Sequence, residues 1–480
     1  MLQFHHQVAS GLPKIQRGII AMKRAMKLVA VAMATAIAAA FSLFAGAAVF
    51  AAAPYPDENY DGVHDAMVAE FGEDFVANHL EAVLVSQSFH NALPERRDGT
   101  LVFPDIYGGM YIDEYGNLNV LVVGSLLARA SMDFLDEFGL CGVNVREVRF
   151  SYNELREVFD ALGYIMQHYP ETTRNVHGVG FCVISNHVIV YLEEYGSLQI
   201  DGFEANVMAS PMIVFEQSPG PIVIDLPNYG DSLGFGFGFD SETELLGEPP
   251  EVDRWEDFGP DSIPGPGVPV TLRPGDAVWI RNSGGGLTWG GSIGYRVTFV
   301  ENGAPQVGYT TAAHLTLTGL GRPLQNGDRL YNSNGVHIGV VSLATLPGID
   351  VAFFRRTPNA EATNLTGMGL VRPTIIHTIT GMTVVMDGMV TGRAVFGVVG
   401  QEHQGNIGSA PHSFFVSGFR ATYRSALGDS GGIVYHWTSA SNNGVVGINV
   451  GGWFNLDPVV SLFTTVTDHR RSFGNVINLH

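Results

Sequence analysis

The stretch YRSALGDSGGIVYHW, residues 423–437, sets Ser430 between an aspartate and two glycines inside an otherwise apolar run. Gly-Asp-Ser-Gly is good turn chemistry in its own right. It also suits a nucleophilic serine, because Gly428 lets the backbone shape an anion site in front of the hydroxyl. A serine is a weak nucleophile until a base takes its proton and a carboxylate holds that base in one tautomer. The choice between turn and nucleophile rests on whether the chain supplies both partners.

It supplies candidates for both, in order. GYTTAAHLT places His314 where a strand meets a turn, and PGIDVAFF places Asp350 at the head of an apolar strand. His, Asp, Ser is one of the chain orders in which this device occurs. From about residue 287 onward short strands alternate with Gly-rich turns: SIGYRVTFV, VHIGVVSLA, AVFGVVGQ, SFFVSGF and GVVGINVG among them. Many short strands at fairly even spacing predict a sandwich or barrel. The final stretch DPVVSLFTTVTDHRRSFG reads as helix, with Asp457 as cap and Pro458 at the first helical position.

With these motifs, residues 287–480 resemble the chymotrypsin-like serine proteases, in particular the secreted bacterial branch of streptogrisins and α-lytic protease. TAAH, the strand through Asp350, the segment VVMDGMVTGRAVFGVV, GDSGG and GVVGINVGG carry the resemblance. It implies an all-β double β-barrel of two six-stranded barrels with a C-terminal helix, preceded by an α+β pro-region. It implies Ser430 as nucleophile, His314 as general base and then acid, Asp350 as orienting carboxylate, and the N–H groups of Gly428 and Ser430 as oxyanion hole. It implies a basic partner, often an arginine, for Asp429. Substrate would pair along Asn449, Val450, Gly451 and Gly452, with Ser425 and Leu427 in the wall of the pocket for the residue before the cut. Arg424, not an acid, stands six positions before Ser430, so a preference for Lys or Arg is not expected, and Leu427 with Asn449 suggests an apolar or modest-sized residue. Two departures stand out: Leu315 occupies the position of a disulfide cysteine, and Val450 replaces a serine that supports the catalytic aspartate.

The rest of the chain divides by charge. Residues 1–53 carry five basic and no acidic side chains, 54–286 carry 10 arginines against 38 acids, and 287–480 carry 11 arginines against 9 acids. The acidic middle argues against nucleic-acid binding. MKRAMK, residues 22–27, followed by an uncharged run to Ala53, predicts a signal peptide over 1–53; a membrane anchor is the alternative if the segment stays uncleaved. Residues 54–217 read as an acidic α+β pro-region. SYNELREVFDALGYIMQHY (151–169) is an amphipathic helix with Ser151 as cap and Glu154 three residues on, followed by a hairpin around Ser185-Asn186. The bacterial relatives are made with such a folding and inhibitory segment. Residues 218–286, rich in Gly, Pro and acid, read as a linker holding the processing site. Cys141 and Cys182 match no metal spacing; they pair after export or stay as thiols. The remaining histidines (His337, His377, His403, His412, His436, His469) lack ligand spacing and read as surface or core residues, so no metal or cofactor is expected.

Two functions remain. One is a secreted serine endopeptidase acting on polypeptides, made as a proprotein and held by its own pro-region. The other is a catalytically weak or silent relative that binds peptides or cell-surface proteins in the same cleft.

Overall fold

Runs of β-branched and aromatic residues broken by glycine build pleated sheet after residue 270, and they pair into two large sheets. The computed structural model describes residues 61–480 except 126–127, 141, 221, 225–269, 282–286, 302, 317–322, 368, 408–412, 427, 438–442, 454–458, 474–476 and 480. One sheet has eight strands, in the order Leu287–Ser292, Ala277–Arg281, Arg329–Tyr331, His337–Thr345, Val351–Arg356, Ala304–Thr311, Arg296–Glu301, Ile477–Leu479. The other has twelve strands. Six of them pair in a ring: Thr383–Gly388, Gly392–Ile407, Phe414–Ala421, Val460–Thr465, Asn443–Trp453, Ile433–His436 and back to Thr383–Gly388. The chain is therefore mostly β. Of the two closed six-stranded barrels expected, one appears as a ring of pairs. Among the described residues no pairing joins the ends of the eight-stranded path.

Two expectations are corrected. The stretch 218–286 is not linker throughout: Ala277–Arg281 pairs with Leu287–Ser292 and Arg329–Tyr331, and Val270–Leu272 pairs in parallel with Ala360–Ala362. The end of the chain is not helical from Asp457, which lies outside the described residues. Val460–Thr465 is a strand held between Phe414–Ala421 and Asn443–Trp453, and the helix is only Val466–Ser472. VSLFTT prefers the pleated surface it packs on. The cap is Thr465, whose side chain accepts from the Asp468 N–H.

The helix Tyr152–His168 starts as its sequence demands. The Ser151 side chain accepts from Glu154 N–H, and the Glu154 carboxylate accepts from Ser151 N–H at 2.8 Å. Its apolar face buries Leu155, Phe159, Leu162 and Met166 against the hairpin Val176–Cys182/His187–Leu192. At the hairpin turn Asn186 takes φ 54°, and its side-chain amide bonds both the N–H (2.9 Å) and the C=O (2.8 Å) of Phe150, clamping hairpin to helix start. The hairpin then joins the twelve-stranded sheet, with Phe181, Gly180, Val179 and Gly178 opposite Glu402, His403, Gln404 and Gly405.

Further helices, Asp61–Phe71 and Glu73–Ala92, lie earlier in the chain. Val83 and Phe89 of the second share one buried cluster with Val384, Met386, Val434, Val446 and Phe463 of the ring. Residues 54–480 accordingly form one compact unit. The leader expected over 1–53 lies outside the described residues. Cys182 is a free thiol whose pKa burial pushes up; Cys141 is not among the described residues.

Candidate active site

Strand register brings the first two candidates together. Thr311 pairs with Ala352, so the turn Ala313–Thr316 after one strand and Asp350 before its partner emerge at the same end. Asp350 is fully buried. One of its oxygens accepts from the N–H groups of Ala313 (2.7 Å) and His314 (3.0 Å); the other meets His314 Nδ1 in a short hydrogen bond. His314 Nε2 lies 2.9 Å from Ser430 Oγ. Two backbone amides thus fix the carboxylate, the carboxylate fixes the imidazole, and the imidazole faces the hydroxyl. Val450, placed where a supporting serine was expected, contributes a carbonyl instead, accepting from Ser430 Oγ at 3.1 Å. Asp350 holds its partners without help from position 450. Leu315 packs into the core of the eight-stranded sheet with Tyr309, Leu330 and Phe354, so apolar contact stands where the cysteine would be.

The turn carrying Ser430 explains its glycines. Gly428 has φ 108° and Gly431 φ 89°, which L-residues rarely adopt. A Cβ on Gly431 would also stand 2.4 Å from the Ser292 carbonyl oxygen and 2.5 Å from Thr311 Oγ1. Among the described residues no arginine pairs with Asp429. Its buried carboxylate accepts from the N–H groups of Val390 (2.8 Å), Thr391 (3.1 Å) and Ala426 (2.8 Å), and from the Thr391 hydroxyl (2.6 Å). Burial pushes its pKa up, and the Thr391 hydroxyl and these amides pull it back.

Sequence reasoning missed Ser292. It is fully buried, its N–H donates to Ser430 O at 2.7 Å, and its hydroxyl donates to Gly428 O at 3.0 Å while accepting from Met389 N–H at 2.8 Å. It pins the turn that carries Ser430 to the other sheet. Nothing local to SIGYRVTFV signals this.

The residues expected to meet substrate fall in two groups. Ser425 Oγ lies 2.8 Å from Ser461 Oγ, and Asn449 Oδ1 accepts from Tyr423 OH at 3.0 Å, so these two candidates lie among hydrogen-bonded polar groups; Leu427 lies outside the described residues. Gly451 and Gly452 are already paired. The strand Val223–Ile224 runs antiparallel along them, Ile224 opposite Gly451 and Val223 opposite Gly452. Ile222 before it is buried with Val450, Trp453, Ile407 and Val416. His314, Asp350 and Ser430 are all inaccessible to solvent in this state.

The family model described as a Pro-like C-terminal domain matches residues 153–218, the stretch holding the capped helix and the hairpin. Among solved structures the chain is similar to a Nocardiopsis protease, at 24% identity over 44% of this chain and 100% of that one, with TM-score 0.33. It is similar to Thermobifida fusca protease A, at 22% identity over 44% and 98% with TM-score 0.33, and to an alpha-lytic protease homolog, at 21% over 44% and 100% with TM-score 0.33. No curated protein matches the chain. The structural neighbours are chymotrypsin-like bacterial proteases, each at low identity and over part of this chain.

Proposed function

We propose that the chain is a secreted serine endopeptidase made as a precursor, with residues 54–224 as the segment that covers its cleft. The observation that carries this is the relay Asp350–His314–Ser430, with Ser430 Oγ 2.9 Å from His314 Nε2 and Nδ1 held by the carboxylate. Ser430 attacks the scissile carbonyl while His314 takes the hydroxyl proton. The oxyanion forms against the N–H groups of Gly428 and Ser430, where loss of one donor costs about 2.7–4 kcal/mol. His314 then protonates the leaving amine, and water, activated by the same imidazole, releases the acyl group.

The substrate lies as an added strand along Gly451 and Gly452. The pairing of Val223 and Ile224 along the same edge supports this: the chain's own residues stand where substrate would. Maturation cuts beyond Ile224 and before the strand Val270–Leu272, after which the cover can leave. The N-terminal leader directs export.

The test is intact mass over time on Pro54–His480, wild type beside Ser430→Ala, with a fluorophosphonate serine probe on the shortened product. The proposal expects wild type alone to shorten, to a fragment starting between residues 225 and 270, and to label at Ser430. A chain that neither shortens nor labels after the cover is removed by an added protease would be a silent binder, and the enzymatic proposal would fall.

A further inference from the structure

Residues 61–224 meet the body of the protein, 270–480, along a seam that carries five histidines. His79 and His90, on the helix Glu73–Ala92, face His436 (ring centroids 5.5 Å apart) and His377 (5.1 Å, stacked). His403 lies beneath the hairpin strand Val176–Cys182, where a Cβ on Gly178 would stand 2.5 Å from its ring. Nothing in the relay uses them.

Two of these imidazoles are fixed as acceptors from groups that can only donate. His79 Nε2 accepts from the backbone N–H of Thr383 at 2.9 Å. His403 Nδ1 accepts from the Arg420 guanidinium at 3.0 Å, and arginine has no acceptor to offer. In each ring the other nitrogen, His79 Nδ1 and His403 Nε2, is buried with no hydrogen-bond partner among the described residues. A second proton on either ring would turn N–H against N–H and leave a buried charge whose new N–H has no acceptor. For His403 that charge would meet Arg420, whose guanidinium is itself 4.4 Å from the rings of Tyr191 of the hairpin and Trp453 of the body. The seam thus has no way to accept protonation in place.

We propose that this seam is an acid-sensitive latch: protonation of His79 and His403 breaks the Thr383 and Arg420 contacts and frees residues 61–224 from the body. If the protease function holds, the latch governs access to the cleft, since Val223 and Ile224 belong to the segment released.

The surroundings agree on direction. The groups facing His79 are Phe75, His436 and Thr383; those facing His403 are Arg420, Tyr191 and Trp453. Burial holds both pKa values well below the ordinary range, with His436 and Arg420 respectively adding to it. Burial, with His377 beside it, lowers His90 to about 3; burial, with Arg470, lowers His377 to about 4; burial lowers His436 to about 4. No carboxylate figures among the causes for any of the five. A histidine released from the seam regains a value near the unperturbed ~6.5. The open form therefore binds more protons below that pH, and closure weakens as pH falls, the loss completing only at the lowered values of the closed form.

The test is hydrogen–deuterium exchange on Ser430→Ala Pro54–His480, corrected for the intrinsic rate, from pH 7.5 to 5.0. One histidine released contributes about thirtyfold to the opening constant over this range, and His79 with His403 about a thousandfold. Protection of 73–92 and 176–192 should fall accordingly while the strand Val351–Arg356 stays protected. In the variant His79→Gln/His403→Asn, whose amide oxygens stand at the same acceptor positions without titrating, the share of the loss due to these two, about a thousandfold, should vanish. Unchanged protection at pH 5.0 without seam substitutions overturns the latch, with no variant required. Equal acid opening in the doubly substituted chain also overturns it, assigning the effect to groups other than His79 and His403. The readout is independent of catalysis, so it stands apart from any failure of the protease proposal.

Discussion

Arg156 is the side chain whose loss should loosen the two parts of the chain most. It projects from the helix Tyr152–His168 and grips Glu402 on Gly392–Ile407 with both ends of its fork, at 2.8 and 2.6 Å. It also donates to Tyr152 OH at 2.7 Å, and its guanidinium is 4.5 Å from the Phe181 ring centroid. Its side chain is 26% exposed and that of Glu402 11%, so removing one partner strands a charge that water only partly reaches. Breaking such a pair costs about 3–5 kcal/mol when fully buried, and the remaining exposure places Arg156→Met near the lower end, about 3 kcal/mol. Arg156→Lys keeps the charge but not the planar fork, and recovers only part. Replacing both partners, Arg156→Met with Glu402→Gln, leaves no unpaired charge and should be milder than the sum of the single changes by about 2 kcal/mol or more. The assay is urea unfolding of the four chains in the Ser430→Ala background, where self-cleavage cannot intervene. A cost below about 1 kcal/mol for Arg156→Met, or strict additivity in the cycle, would refute the reasoning.

Three further outcomes follow from the site. Asp350→Asn should lower kcat/KM of the matured chain about 10⁴-fold: the N–H groups of Ala313 and His314 claim the amide oxygen, so the NH₂ faces His314 Nδ1 and forces the wrong tautomer. Activity within tenfold of wild type would exclude that role. Gly431→Ala should cost about 3 kcal/mol in urea unfolding, combining left-handed strain with the clash against Ser292 O and Thr311 Oγ1. Gly392→Ala, at φ 87° with open space for a Cβ, should cost only about 1–2 kcal/mol, and equal losses at the two would sink the clash argument. Asp429→Asn should destabilise by about 3 kcal/mol, because an NH₂ would point at N–H donors already aimed at the carboxylate, while Asp429→Ala should not be rescued by added guanidinium, since no arginine pairs with Asp429 among the described residues.

What could be read from the sequence was what local physics decides. The capping box of Ser151 and Glu154, the apolar face of Leu155, Phe159, Leu162 and Met166, and the hairpin turn at Asn186 each lie within a few residues of the structure they produce. His314, Asp350 and Ser430, which the structure joins by hydrogen bonds, could be picked out because each sits in or beside a turn near a strand end, where a motif and a turn coincide. Where local signals conflicted, reading failed. VTL and AVWIR are short and stand in a stretch rich in Pro and Gly, so two strands passed for linker. VSLFTT beside a good helical tail passed for helix, until its pairing with strands on both sides decided otherwise.

The rest is set by contacts far apart in the chain, which no window on the sequence contains. Ser292 reaches Gly428 across 136 positions, and His79 reaches Thr383 across 304. The buried histidines make the point most sharply. Sequence spacing said only that His403 stands on the surface or in the core; what matters about it is that its one acceptor nitrogen faces an arginine while its other ring nitrogen faces Gly178, about 225 residues earlier in the chain. A buried histidine that only packs also weakens the fold in acid, but it does so through the whole fold. For a latch, replacing His79 and His403 by Gln and Asn should be neutral above pH 7 and protective below pH 6 at residues 73–92 and 176–192, with Val351–Arg356 unaffected, and that locality separates a latch from a core residue.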